Sequence, residues 1–231
     1  MGTIAAAMQA VRGRIAAACA EAGRDPRTVE LLAVSKTFPA TAIREAWAAG
    51  QRAFGESYVQ EALAKQSELA DLEIEWHYIG PLQRNKTRAV AEHFAWVHGV
   101  DRLDLAERLS AQRPEALPPL QVCVQVNVGG EASKRGVAPA EALALANRVA
   151  ELPRLRVRGY MTIPPPSTDP LCQRAHFRTL AELLQRTRAA GLGVDTLSMG
   201  MSQDLEAAIA EGANIVRVGT AIFGARAPAG N

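Results

Sequence analysis

The stretch Val29-Glu30-Leu31-Leu32-Ala33-Val34-Ser35-Lys36 decides how the rest of the chain is read. A short apolar run bounded by polar residues is a strand buried on both faces, as in a parallel sheet covered by helices. Its last residue is a lysine, placed where the strand gives way to a loop. A parallel barrel puts its chemistry at that end of its strands, so Lys36 is the first candidate for a reactive amine. A lone lysine is more often a solvated surface charge. The weight therefore falls on what accompanies it.

Seven more strand patterns follow at 52–55, 75–79, 96–99, 120–127, 157–163, 196–199 and 215–218. Amphipathic helical patterns fall between them at 40–49, 59–69, 86–93, 103–112, 140–150, 174–190 and 204–210. Ile4, Met8, Val11, Ile15 and Cys19 stand at helical spacing ahead of the first strand. Eight alternating units favour an α/β fold closed as a single (β/α)8 TIM-type barrel with an extra N-terminal helix, over a doubly wound sheet. With no linker or repeat, one domain spanning 1–231 is expected. Pro164, Pro165 and Pro166 stiffen the loop after the sixth strand, on the face where the active site is expected.

Composition excludes several classes. The 26 basic and 24 acidic residues are spread along the chain, so there is no electrostatic footprint for nucleic acid. Arg12 and Arg14 interrupt the N-terminal apolar pattern, which is neither a signal peptide nor a membrane span, and Ala6 stands where a myristoylation motif needs Ser or Thr. A cytoplasmic location is expected. Cys19, Cys123 and Cys172 are odd in number, far apart and free of any CxxC, against both a disulfide framework and a zinc site. They read as small buried residues.

Strand parity separates what faces the helices from what faces the barrel interior. Val122, Val124, Val126 and Val128 share one parity, read as helix-facing; Cys123, Gln125 and Asn127 share the other. In the last strand Val216 and Val218 face helices, which aims Arg217 into the mouth. An inward arginine needs an acceptor, because an unpaired buried charge is costly; a carboxylate or a ligand would serve.

The segment from Leu197 through Gly200 and Ser202 to Asp204 passes from strand to helix, where Ser202 offers a hydroxyl beside free backbone N–H groups or serves only as an N-cap. Arg217-Val218-Gly219-Thr220 ends the last strand with a glycine that permits close backbone approach and a hydroxyl next to it. Barrels often build phosphate sites from the loops after strands seven and eight. An amine, a phosphate cradle and an inward arginine together suit pyridoxal 5′-phosphate: an imine to the lysine, donors for the phosphate, and an arginine at the ring nitrogen. An arginine there can only donate, which keeps the ring nitrogen unprotonated and weakens the electron sink.

These motifs, with Phe54-Gly55-Glu56-Ser57-Tyr58, Trp76-His77-Tyr78-Ile79-Gly80-Pro81-Leu82-Gln83-Arg84-Asn85-Lys86, Glu131-Ala132-Ser133-Lys134 and Gly159-Tyr160-Met161-Thr162-Ile163-Pro164, give the chain a resemblance over nearly its whole length. It resembles the pyridoxal phosphate homeostasis proteins, the YggS/PROSC-like group, which look like the barrel domain of alanine racemase standing alone. The resemblance implies that Lys36 is the Schiff-base lysine, that Ser202, Gly219 and Thr220 contact the phosphate with Ser198 assisting, and that Arg217 meets the ring nitrogen. His77 and Met161 complete the expected contacts, although His77 reads equally as a hydrogen-bonded core histidine. Lys134 resembles a family lysine that competes for the imine during cofactor transfer, or it is a solvated loop charge. Ser57 stands where the family usually has Asn, which puts any contact made there in question.

The resemblance implies a carrier acting in intracellular vitamin B6 homeostasis, with recipient pyridoxal phosphate enzymes as partners and without robust turnover. Related racemases take a second base, a tyrosine, and their dimer contact from an added C-terminal domain, whereas this chain ends at Asn231. A monomer is therefore expected. Tyr58, Tyr78 and Tyr160 have simpler roles in packing. The rival readings are an active racemase or lyase with Lys36 as its only base, and a cofactor-free barrel enzyme that forms an imine with a sugar phosphate.

Overall fold

Among the described residues, eight parallel strands close on themselves in chain order: β1 (Glu30–Val34), β2 (Ala53–Glu56), β3 (Glu75–Tyr78), β4 (Trp96–Val100), β5 (Leu120–Gln125), β6 (Leu155–Met161), β7 (Thr196–Ser198) and β8 (Ile215–Val218). β1 completes the ring, with Ala33 beside Phe54 of β2 on one side and Val218 of β8 on the other. The computed structural model describes residues 3–131 and 134–225. Gly2, the Ala132-Ser133 step of the loop motif and Asn231 lie outside the described residues.

The helices are α1 (Ile4–Glu21), α2 (Ala40–Ala48), α3 (Val59–Glu68), α4 (Thr87–His93), α5 (Leu103–Gln112), α6 (Pro139–Ala150), α7 (Pro170–Ala189), α8 (Leu205–Ala210) and the single turn α9 (Thr220–Phe223). α1 is capped by the Thr3 hydroxyl, which accepts from Ala6 N–H at 3.2 Å. It packs Met8, Val11, Ile15 and Cys19 against α8, α9 and α2. No helix of the described residues is long and apolar enough to cross a membrane.

Three elements differ from the sequence reading by two residues or more. α7 starts at Pro170, four residues before the pattern, because Asp169 caps it by accepting from Leu171 N–H at 2.9 Å and proline is preorganised for the first turn. β5 ends at Gln125 because the chain doubles back: Asn127 N–H donates to the Val137 carbonyl and Val137 N–H to that of Gln125, both at 2.9 Å. β6 begins two residues earlier and ends two earlier than the pattern, at Met161.

Parity holds. Val122, Val124, Val126, Val216 and Val218 lie in the core between sheet and helices. A second, smaller core fills the barrel with Leu32, Ala53, Trp96, Cys123, Met161 and Ile215. Each fully buried side chain of this size contributes roughly 1.5–3 kcal/mol. The interior is therefore plugged, which leaves the ends of the barrel to hold a ligand.

Candidate functional site

Lys36 follows β1 by two residues, on a turn that the backbone does not adopt freely. Thr37 has φ of 69°, a left-handed conformation that costs a β-branched residue on the order of 1–3 kcal/mol. A buried charge cluster offsets it. Lys65 of α3, 5% exposed, donates to the Ser35 carbonyl at 2.9 Å, to Glu56 Oε1 at 2.8 Å and to Glu61 Oε1 at 2.6 Å. Glu61 Oε1 also accepts from Thr37 N–H at 2.5 Å, and the Ser35 hydroxyl donates to Glu56 at 2.6 Å. Burial raises the Glu56 carboxyl above its ordinary range, and the neighbouring Lys65 opposes that shift. The residues on either side of Lys36 are thus clamped to β2 and α3.

Arg217 enters the mouth from β8, 4% exposed. Its Nη1 donates to the Ser198 carbonyl at 2.6 Å and hydroxyl at 2.8 Å, and its Nη2 to the Thr162 carbonyl at 2.8 Å. The acceptors are neutral oxygens of β7 and the β6 end, and none is an interior glutamate. Burial lowers the guanidinium to about 10, which leaves it charged at neutral pH. Of the five guanidinium N–H groups, those on Nε and one on Nη2 remain for a ligand.

A cavity of about 550 Å3 opens here, within the usual size of a small-molecule site. Lys36, Ser202, Arg217, Gly219 and Thr220, all singled out from sequence, line it together with Lys134, Asp204, Ile163 and Pro164. The cations Lys36, Lys134 and Arg217 face one carboxyl, Asp204, which favours an anionic ligand. Gly219 lies so close to β1 that a Cβ there would meet the Val34 carbonyl at 3.0 Å. The opening amides of α9 have no preceding helical carbonyl to bond and flank the cavity. Arg14 of α1 braces the facing loop by donating to the Ser202 carbonyl at 3.0 Å and pairing with Glu206 at 2.8 Å.

Three expected contacts lie elsewhere. Ser198 and His77 are fully buried beneath the cavity, and Met161 is part of the barrel plug. His77 faces inward as its parity requires, but its partners are His98 at 2.9 Å and Glu75 at 2.8 Å, those of a core histidine. Ser57 does not line the cavity; its carbonyl accepts from the Tyr78 hydroxyl at 3.3 Å. Gln83, Asn85 and Lys86 are also away from it. Cys19 and Cys123 are buried as expected, whereas Cys172 is half-buried. The sequence reading missed His98, which shares the interior parity of Trp96 on β4. It also missed the Lys65 cluster, whose signal was a lysine on the apolar face of α3.

Fold and site together define a barrel of the alanine racemase type with a lysine and an arginine at its mouth. Residues 7–227 match the model of the alanine racemase N-terminal domain. The chain is 63% identical over 226 residues to the pyridoxal phosphate homeostasis protein of Pseudomonas aeruginosa, covering 98% of this chain and 97% of that one. It is 52% identical over 229 residues to the protein of that name from Escherichia coli K12, covering 98% of each. PipY of Synechococcus elongatus PCC7942, solved with PLP bound, superposes with a TM-score of 0.85 at 41% identity, over 96% of this chain and all of that one. Alanine racemase of Corynebacterium glutamicum shares the fold, with a TM-score of 0.67 at 19% identity over 94% of this chain and 61% of its own. The chain belongs to the pyridoxal phosphate homeostasis protein family.

Proposed function

We propose that this protein binds pyridoxal 5′-phosphate as a Schiff base on Lys36 and serves in intracellular cofactor homeostasis as a carrier. The observation that carries the reading is the convergence of Lys36, Arg217 and the Ser202, Gly219 and Thr220 loops on one cavity with a cationic excess. The donor set fits the group: one primary amine for an aldehyde, backbone and hydroxyl donors for a phosphate, and a guanidinium with free N–H groups for a ring nitrogen. The relatives named for pyridoxal phosphate homeostasis, and PipY with PLP bound, support it. Bound pyridoxal phosphate supplies an electron sink to an attached amine. Arg217, able only to donate at the ring nitrogen, would restrain that sink.

Weak turnover is supported by the tyrosines. None of Tyr58, Tyr78 and Tyr160 lines the cavity. Burial pushes the Tyr78 hydroxyl up to about 12 and raises that of Tyr160, which bonds Thr187 at 2.6 Å, so neither is poised as a second base. Lys134 at the cavity rim is the amine positioned to compete with Lys36 during release to a recipient enzyme. A single-domain, cytoplasmic monomer completes the reading.

The test is a spectroscopic titration of the purified chain with pyridoxal phosphate, beside Lys36→Ala, followed by incubation with L- and D-amino acids. A visible imine band in the wild type alone, with amino-acid enantiomers unchanged over hours, is expected. A band that persists in Lys36→Ala, or steady racemisation, contradicts the proposal.

A further inference from the structure

Beneath the cavity, an unbroken line of hydrogen bonds crosses the barrel from Arg217 to its opposite end. Arg217 Nη1 donates to the Ser198 hydroxyl at 2.8 Å, and that hydroxyl lies 2.7 Å from His98 Nδ1. His98 Nε2 lies 2.9 Å from His77 Nδ1, and His77 Nε2 lies 2.8 Å from Glu75 Oε1. Ser198, His98 and His77 are fully buried, while the Glu75 side chain is 47% exposed at the N-terminal rim. Four contacts therefore connect a rim carboxylate to the guanidinium in the cavity wall.

The proton positions along this line follow from donor and acceptor counting. Its hydrogen bond from His77, against the opposing effect of burial, keeps the Glu75 carboxyl below its ordinary range, so it is ionised and can only accept. His77 must then donate through Nε2, which makes Nδ1 of a neutral ring an acceptor. His98 is held neutral by burial, and the charge of Arg217 acts in the same direction. It must donate through Nε2 to His77 and accept at Nδ1 from the Ser198 hydroxyl. Every donor from Arg217 onward thus points toward Glu75, and no alternative satisfies all the groups.

We propose that Glu75, His77, His98 and Ser198 form a polarity relay in which the charge state of the N-terminal rim fixes the hydrogen bonding of Arg217 at the cavity floor, with His98 as the positioning residue. When the Glu75 carboxyl takes up a proton it donates to His77 Nε2, the His77 hydrogen moves to Nδ1 and needs an acceptor, so His98 shifts its hydrogen to Nδ1 while staying neutral. The Ser198 hydroxyl oxygen then receives two donors, from His98 and Arg217, and its own hydrogen loses its acceptor. Arg217 is held differently without any backbone movement. The last step, from Arg217 to a ligand, rests on the cofactor reading above.

The surroundings suit such a terminus. Trp96 stacks on His77 at 5.2 Å between centroids and 9° between planes, which fixes the ring. Glu30 of β1 brings a second carboxylate within 4.8 Å of Glu75 and His77 at this rim. Arg158 of β6 and Asp195, the residue before β7, neutralise each other beside it at 2.7 Å. Cys123 of β5, pushed up to about 12 by burial, stays neutral.

The test is the 15N spectrum of the histidine ring nitrogens at neutral pH, in the full chain without cofactor. The wild type should show His77 and His98 each as a single Nε2–H tautomer. Glu75→Gln supplies an amide that can donate as well as accept, so it should release the constraint and give His98 as a mixture of tautomers. Loading pyridoxal phosphate should shift the wild-type His98 Nδ1 signal. A His98 proton on Nδ1 in the wild type, an unchanged tautomer in Glu75→Gln, or a His98 signal indifferent to loading while an imine band forms would each overturn the relay. If no band forms, the cofactor reading fails while the ligand-free spectra still decide the polarity.

Discussion

The two ends of the barrel carry hollows of similar size, about 550 Å3 at the C-terminal mouth and about 510 Å3 between β3, β4 and the α4–β5 side at the other end. They differ in how their charges are used. At the N-terminal end Arg158 spends Nε and Nη2 on Asp195 at 2.9 and 2.7 Å and Nη1 on Gln121 at 3.1 Å, and lies over the Trp96 ring. At the mouth Arg217 bonds only carbonyl and hydroxyl oxygens, and Lys36 and Lys134 face the same space. Volume does not distinguish the ends. A ligand needs N–H donors that the fold has not already engaged, and at the mouth Arg217 keeps Nε and one hydrogen of Nη2.

The largest expected effect concerns what holds the mouth in shape. Lys65→Met leaves Glu56 buried without its cation and should destabilise the protein by about 3–5 kcal/mol, read by urea unfolding. Adding Glu56→Gln should recover much of that loss. Next, Arg217→Met should weaken pyridoxal phosphate binding by about 10- to 100-fold, as expected for loss of a charged hydrogen bond of about 1.5–3 kcal/mol. Arg158→Met should leave binding within about twofold, since its bonds are internal. Equal losses in both variants would erase the distinction between the ends.

The smallest effect is a pH dependence. Burial raises Asp195, but its bonds from Arg158 and Thr196 more than reverse this and hold its carboxyl below the ordinary aspartate range. The unfolded chain then binds a proton more readily. The contribution is therefore complete above about pH 4 and is lost as pH falls through the lower folded value. With Asp195 half exposed, the gap between wild type and Asp195→Asn should shrink by about 0.5 kcal/mol between pH 6 and pH 2.5, as for a screened surface pair. A gap that widens on acidification has the wrong sign.

Much of this was legible in the sequence because strand parity is a local property. The valines of β5 and β8 announced the helix-facing side, and by elimination Arg217 pointed inward. Periodicity could not show how deep along a strand an inward side chain sits. His77 and Met161 have the right parity but lie below the cavity, inside the plug. The Lys65 cluster and the relay join residues of three or more elements, and such contacts arise only when the barrel closes. Strand ends were lost where loops fold back, as at Asn127, because hydrogen bonding beyond the strand leaves no pattern in hydropathy.

Borohydride reduction of the protein loaded with pyridoxal phosphate, followed by peptide mapping, tests the central claim most directly. The account predicts the phosphopyridoxyl group on the peptide containing Lys36, with label at Lys134 minor and Lys65 unlabelled. Label chiefly on the Lys86 or Lys134 peptide, or retention of the cofactor in Lys36→Ala at wild-type stoichiometry, would contradict it.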